Sequence, residues 1–325
     1  MKRSVVLGTG SFLPRRELTN ADLERMVDTS DEWITSRTGI LTRRIAGKGE
    51  ENYRLAAGAA RRALEMAGLE AGEIDLIVVA TMTPHMTMPS CACFVQAEIG
   101  AQHAFAYDLN AACSGYLFAL DMADKYVLNK PDMNILVIGS ETLSARVNWQ
   151  DRNTCILFGD GAGACVLSGR EHAGGIIDSR LFTDGNLWEL LYMHSPRNLN
   201  PDLVQQGDDH GYIRMTGRDV FKFAVRAMEE SVTALLQRNG MTAKDIGLMI
   251  PHQANIRIIH KLMERLGVPE EKVYINVNKY GNTSAASIPI ALDEANRQGL
   301  IQRGDLVLFC AFGGGFTWGS LLMRW

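Results

Sequence analysis

The chain has 325 residues, 46% apolar and 22% charged, with a formal net charge of −4 and a pI near 6.0. These are the values of a globular protein large enough for two core-sized units. The mild acidity gives no electrostatic footprint for a nucleic-acid partner, and no apolar run approaches the roughly 18 residues of a membrane span.

The first predicted element is a strand. Val5-Val6-Leu7 behind Lys2 and Arg3 resembles the start of a secretory leader, but Gly8-Thr9-Gly10 ends the apolar run at once. A helical pattern over 53–66 stops at Gly68. Short Val/Ile/Leu runs without alternation follow at 75–80, 135–139, 247–250 and 306–310, which predicts strands covered on both faces with amphipathic helices between them. The expected class is a layered α/β protein. His85, Met86, Met88, Cys91 and Cys93 are residue types that a soft metal takes, yet Pro89-Ser90 reads as the start of a core-facing helix, and no metal is expected. The six cysteines (91, 93, 113, 155, 165, 310) follow no disulfide framework and read as free thiols of a reducing cytoplasm.

Cys113 stands in Asn110-Ala111-Ala112-Cys113-Ser114-Gly115, where a strand turns into the helical run LFALDMADKYV. A free cysteine is ordinarily a small core residue. Here the turn puts the sulfur near a helix N-terminus, whose partial positive charge is expected to lower the thiol pKa and favour a nucleophilic thiolate. Cys155 and Cys165 have no such context.

The chain also repeats. Gly68 and Gly240, Leu76 and Leu248, and Asn110 and Asn282 are each 172 residues apart; so are the strands 135–141 and 307–313 and the helical stretches 53–66 and 225–238. One offset through five elements reads as duplication. The units run over 1–172, with Cys113, and 173–325, with no proline- or glycine-rich linker between them.

In the second unit His252 follows a buried strand directly, the place where open α/β sheets gather ligands. Asn282 is the repeat of Asn110, so a pseudo-twofold brings both loops to one site. An imidazole and a carboxamide there supply two donors for an enolate oxygen. Phe312-Gly313-Gly314-Gly315-Phe316 lets main-chain N–H groups approach a ligand, and it lacks the Lys-Ser/Thr and the helix of a phosphate loop.

TSDEWITSRTGI (29–40), NAACSGY (110–116), ILFGDGAGA (156–164), MTGRDVFKFAV (215–225), PHQANIRI (251–258), YGNTSAASIP (280–289) and AFGGGFTWGS (311–320) resemble, in this order and over the whole chain, the β-ketoacyl-[acyl-carrier-protein] synthase III family, the initiating condensing enzymes of bacterial fatty acid synthesis. The resemblance implies a five-layered α-β-α-β-α thiolase fold and a homodimer. It implies a Cys113-His252-Asn282 triad and an oxyanion hole from the N–H groups of Cys113 and Gly314. Trp33 and Arg152 would sandwich the adenine of coenzyme A, with Arg37 near its phosphates and Gly217 and Asn255 along the pantetheine channel. Gln253, Ala254, Asn255, Ile256 and Arg257, with Lys222 nearby, would bind the acidic acyl carrier protein, which small basic patches steer. Glu264 stands where the family often has lysine, a loss that Lys261 and Arg265 are expected to offset. Met88 stands where phenylalanine is common, at a position that reaches the partner subunit's acyl pocket.

The implied reaction is ping-pong. Cys113 takes an acyl group from a short acyl-CoA; malonyl-carrier protein then loses CO2, and its carbanion attacks the acyl-cysteine. Acyl-CoA is a substrate, and no cofactor is required. Rival readings are a condensing enzyme of secondary metabolism, a Cys-His-Asn thioester hydrolase and a non-catalytic descendant, which would have no physical need for the triad.

Overall fold

The computed structural model describes residues 3–171, 174–195 and 211–325. In chain order the first sheet and its helices are β1 (Arg3–Phe12), β2 (Arg16–Thr19), α1 (Asn20–Glu24), α2 (Asp31–Thr38), β3 (Thr42–Ile45), α3 (Asn52–Ala67), β4 (Leu76–Ala80), α4 (Cys91–Ile99), β5 (Phe105–Leu109), α5 (Gly115–Asn129), β6 (Asn134–Thr142), α6 (Arg152–Cys155) and β7 (Asp160–Arg170). There follow β8 (Gly175–Thr183), β9 (Leu191–Met193), β10 (Ile213–Met215), α7 (Gly217–Arg238), β11 (Leu248–Pro251), α8 (Ile256–Leu266), α9 (Val277–Tyr280), α10 (Ser287–Arg297), β12 (Leu306–Gly313) and β13 (Thr317–Arg324).

Two mixed sheets carry the architecture, ordered β1-β7-β6-β4-β5 and β8-β13-β12-β11. Their parallel pairs share one register: Leu76 faces Ile135 across β4 and β6, and Leu248 faces Val307 across β11 and β12. Both positions advance by the same 172 residues that the sequence repeats. The units differ where β6 reaches β7 through residues 143–159, because β12 reaches β13 through 314–316 alone. The longer excursion packs with α2, β2 and β3 into a separate apolar cluster around Ile34, Leu143, Ile156 and Phe158.

Strand residues alternate between two cores. Leu76, Val78, Ile135 and Val137 of the first sheet and Ile250, Val307 and Phe309 of the second face a central layer made by α5 and α10. Ile77, Val79, Leu136 and Ile138 face α3 and α4. Met249, Leu308, Cys310 and Phe312 face α7 and α8. The result is helix, sheet, helix, sheet, helix. It explains the unbroken apolar runs, since neither face of these strands meets water.

Candidate active site

Cys113 lies on a single 3-10 turn, Ala112–Ser114, between β5 and α5, and the same turn recurs as Ser284–Ala286 before α10. In each, the first residue is a non-glycine at positive φ, Ala112 at 45° and Ser284 at 50°. A local hydrogen bond offsets the strain: Asn110 Oδ1 accepts from the Ala112 N–H at 3.1 Å, and Asn282 Oδ1 accepts from the Ser284 N–H at 2.8 Å. With Oδ1 engaged, the Nδ2 group of Asn282 remains as a donor to the cavity that Asn282 lines.

Contacts between the two sheets' loops fix the cysteine. Thr317 Oγ1 donates to Ala111 O at 2.8 Å, and Ser114 Oγ donates to Thr317 O at 2.9 Å. A Cβ on Gly313 would lie 2.6 Å from the Cys113 nitrogen, so only glycine lets the triglycine loop close on the turn. Cys113 and Gly314 both border the cavity.

His252 follows β11, and its main-chain N–H donates to Cys310 O at 2.8 Å. Its Nδ1 is 2.7 Å from Ser287 Oγ at the start of α10, and Ser287 Oγ also accepts from the Gln253 N–H at 3.3 Å. Where Ser287 Oγ–H donates to Nδ1, the proton of the neutral imidazole sits on Nε2 as a donor. Burial lowers the pKa of His252 to about 4, so the ring is neutral at pH 7.

The electrostatics of Cys113 differ from the sequence expectation. Burial pushes its thiol up to about 12; a hydrogen bond with Ser284 opposes the shift, and the charge of Glu141 adds to it. The turn between β5 and α5 buries the sulfur, so desolvation outweighs the helix N-terminus and the resting group is a thiol.

One cavity of about 1030 Å³ joins these groups. The buried Cys113, His252 and Asn282 and the exposed Arg37, Arg218, Lys222 and Arg257 all line it, with Trp33, Gly217, Ala254 and Asn255 also on its wall. Asn255 caps α8 through Arg257 N at 2.9 Å and ties it to α2 through Arg37 O at 3.1 Å. Arg257 lies over the Phe221 ring at 5.8 Å.

The geometry places the other expected site residues as follows. The Arg152 guanidinium sits 5.0 Å from the Trp33 ring centre and donates to Asp28 O at 2.8 Å. An adenine between the two needs about 7 Å, two contacts of 3.5–4.0 Å, so the pair is closed on itself and must part to admit a base. Gln253 is 1% exposed and cannot touch a carrier protein. Its amide is spent inside the fold, donating to Pro251 O and Tyr274 O and accepting from the N–H groups of Asn276 and Val277. Ile256 packs partly buried against Gly39 and the outer core. Lys261 pairs with Glu264 at 2.7 Å and Arg265 with Glu229 at 2.6 Å, so neither restores the positive charge lost at Glu264. Met88 is 84% exposed and is not part of the cavity wall in this chain. His85 lies tilted against Tyr53 and edge-on to Phe94, and among the described residues no three His, Cys, Asp or Glu side chains converge as metal ligands.

Sequence reasoning missed Ser284, Ser287 and Glu141. A signal existed for two of them. Ser284 repeats Ala112 at the 172-residue offset, and Glu141 is a lone acid closing an apolar strand.

Two family models, both described as 3-oxoacyl-[acyl-carrier-protein] synthase III, match residues 107–185 and 236–325. The chain is 56% identical to a β-ketoacyl-[acyl-carrier-protein] synthase III of Desulfotalea psychrophila, over 99% of each chain. It is 51% identical to that of Aquifex aeolicus, over 98% of this chain and 99% of the relative. A crystal structure of the Aquifex aeolicus VF5 synthase superposes with a TM-score of 0.93 at 50% identity and covers 100% of both chains. Likeness of this depth does not favour a condensing enzyme of secondary metabolism. The fold is the thiolase fold, and the chain belongs to the 3-oxoacyl-[acyl-carrier-protein] synthase III family, acyltransferases that perform the initiating condensation of fatty acid synthesis.

Proposed function

We propose that this chain condenses a short acyl-CoA with malonyl-carrier protein through an acyl–Cys113 intermediate. The observation that carries the reading is that a buried thiol, a neutral imidazole and a carboxamide line one cavity that four exposed cations also line. In the first half-reaction the Cys113 sulfur attacks the acyl thioester, and the N–H groups of Cys113 and Gly314 receive the oxyanion. Coenzyme A leaves. In the second, the malonyl thioester oxygen lies between His252 Nε2–H and Asn282 Nδ2–H, which stabilise the enolate as CO2 departs. A neutral imidazole suits this task, because it donates without having to lose or gain a proton.

Arg37 serves the phosphates of coenzyme A, and Trp33 and Arg152 open to hold its base. Arg257 and Lys222, on the rim with Arg218, receive the acidic carrier protein. A second copy covers the exposed Met86, Met88 and Phe105 beside the edge strand β5, and brings Met88 toward the partner's acyl pocket. No metal or redox cofactor takes part, and six free thiols suit a reducing cytoplasm.

The test is to mix the protein with straight and branched acyl-CoAs, without malonyl substrate, and to record intact and peptide masses. One stable acyl group on the Cys113 peptide is expected. Steady CoA release without an adduct would instead mean hydrolysis.

A further inference from the structure

His252 and Asn282 are carried by different parts of the second unit. His252 is the residue after β11, and Asn282 lies between α9 and α10. The stretch that leads to Asn282 is fastened to α10. There the Tyr274 hydroxyl, the Tyr280 hydroxyl and the Asn276 Nδ2 group donate to the Glu294 carboxylate at 3.2, 2.6 and 2.7 Å. Asn282 is held on its main chain as well, donating to Leu157 O at 2.8 Å and accepting from the Gly159 N–H at 3.0 Å. The separation of the two donors therefore depends on what joins the end of β11 to this block.

Gln253 makes that join. Its Nε2 group donates to Pro251 O at 2.9 Å, on the last residue of β11, and to Tyr274 O at 3.0 Å. Its Oε1 accepts from the Asn276 N–H at 3.0 Å and from the Val277 N–H at 3.2 Å, where α9 begins. A carboxamide has two donor hydrogens and two acceptor lone pairs, so none is left over. The main-chain N–H of Gln253 donates to Ser287 Oγ at 3.3 Å, the same hydroxyl that lies 2.7 Å from His252 Nδ1. A further tie, from the Tyr274 N–H to Met249 O at 2.9 Å, sits deeper in the sheet. Gln253 is 1% exposed and is not on the cavity wall that His252, Ala254 and Asn255 line, so it touches neither substrate nor carrier protein. A relative shift of the two segments would leave buried polar groups unpaired, which is what makes such an amide a stiff link.

We infer that Gln253 is a positioning residue for the enolate step: its side-chain amide sets the distance between the His252 imidazole and the Asn282 carboxamide. The inference rests on the reading of these two groups as the donors to the enolate oxygen.

The test compares CO2 release from 14C-malonyl-CoA with acetyl transfer from acetyl-CoA to Cys113, read by intact mass, in wild type, Gln253→Met, Gln253→Glu and His252→Ala. Methionine keeps the length of the side chain and makes none of the four bonds. A carboxyl buried against two carbonyl oxygens keeps its proton, so Gln253→Glu retains one donor and both acceptors. The kcat of decarboxylation should fall about 10- to 100-fold in Gln253→Met, the scale of a misplaced oxyanion donor, and about 3- to 10-fold in Gln253→Glu. KM for malonyl-CoA and the rate of Cys113 acylation should stay within about threefold of wild type in both, because neither depends on the spacing of the two donors. If Gln253→Met does not fold, Gln253→Glu carries the test alone. Decarboxylation within threefold of wild type in the folded variants overturns the inference. So does a parallel fall of both half-reactions, which would mark a merely structural role, or a greater loss in Gln253→Glu than in Gln253→Met. Unchanged decarboxylation in His252→Ala overturns the donor assignment itself, and the inference with it.

Discussion

Replacing Ser287 by alanine isolates what orients His252. The hydroxyl makes a 2.7 Å hydrogen bond to Nδ1, and both residues are buried. A buried neutral hydrogen bond biases one arrangement by about 0.5–1.5 kcal/mol, which is roughly a 2- to 13-fold preference. Without it, the ring proton is no longer confined to Nε2, and the enolate oxygen loses part of one donor. Malonyl decarboxylation should fall about 3- to 10-fold. The ceiling is the loss from His252→Ala, about 10²–10³ for removal of a whole oxyanion donor. The orphaned Nδ1 should also cost about 1–3 kcal/mol of stability. The decisive assay pairs 14C-malonyl decarboxylation with imidazole 15N NMR. Wild type should show the proton on Nε2, and Ser287→Ala should show a mixture of tautomers. A wild-type spectrum with the proton on Nδ1, or unchanged decarboxylation in the variant, refutes the reasoning.

Two further outcomes follow from charge. Glu141 has a folded pKa of about 7 against an ordinary 4.5, so its contribution to stability is full below pH 4.5 and is lost as pH rises through 7. His252 has a folded pKa of about 4 against 6.5, so its contribution is full above pH 6.5 and is lost as pH falls through 4. Each shift is worth about 3 kcal/mol, and the two oppose each other between pH 4 and 7. Between pH 7 and pH 4, Glu141→Gln should therefore lose about 3 kcal/mol more stability than wild type in urea titrations, and a difference under about 1 kcal/mol contradicts the assignment. At the rim, Arg257→Glu should raise KM for malonyl-carrier protein about 5- to 10-fold in a salt-dependent way and leave acyl-CoA self-acylation within about twofold. Lys261→Ala should change KM by less than about twofold, because Glu264 already neutralises that lysine; an equal effect of both would move the docking patch.

The parts of this protein that were legible in its sequence are those that local pattern determines. The unbroken apolar runs at 75–80 and 306–310 became strands covered on both faces, and the 172-residue offset reappeared as a shared register. The order of strand, turn and helix located the turns of Cys113 and Asn282, since each Asn is followed two residues later by the amide it must hold. Desolvation was not legible, because it depends on what other segments cover. Cys113 therefore has a raised thiol pKa where a helix N-terminus alone would lower it, and Gln253 is sealed by the loop and the start of α9 that lie 21 to 24 residues away. The closed Trp33–Arg152 pair joins residues far apart in the chain, so no spacing rule describes its gap. The Lys261–Glu264 pair is different: it lies one helical turn apart, where the i,i+3 rule applies, although the sequence reading took Lys261 as free to offset Glu264.

The repeated turn accounts for how one site acquires two kinds of chemistry. Both copies hold a non-glycine residue at positive φ, at about 1–3 kcal/mol of strain each, by the same asparagine-to-amide hydrogen bond. In the first copy the residue after the strained one is Cys113; in the second, the asparagine itself presents its amide and the strained residue is Ser284. Neither copy is completed by its own sheet. Thr317 of β13 receives and donates the hydrogen bonds that hold the Cys113 turn, and Glu141 of β6 accepts from Ser284. Each turn is therefore held by its own asparagine and also tied to a side chain of the opposite unit, so assembly of the two sheets, and not the folding of either alone, sets the distance between nucleophile and donors.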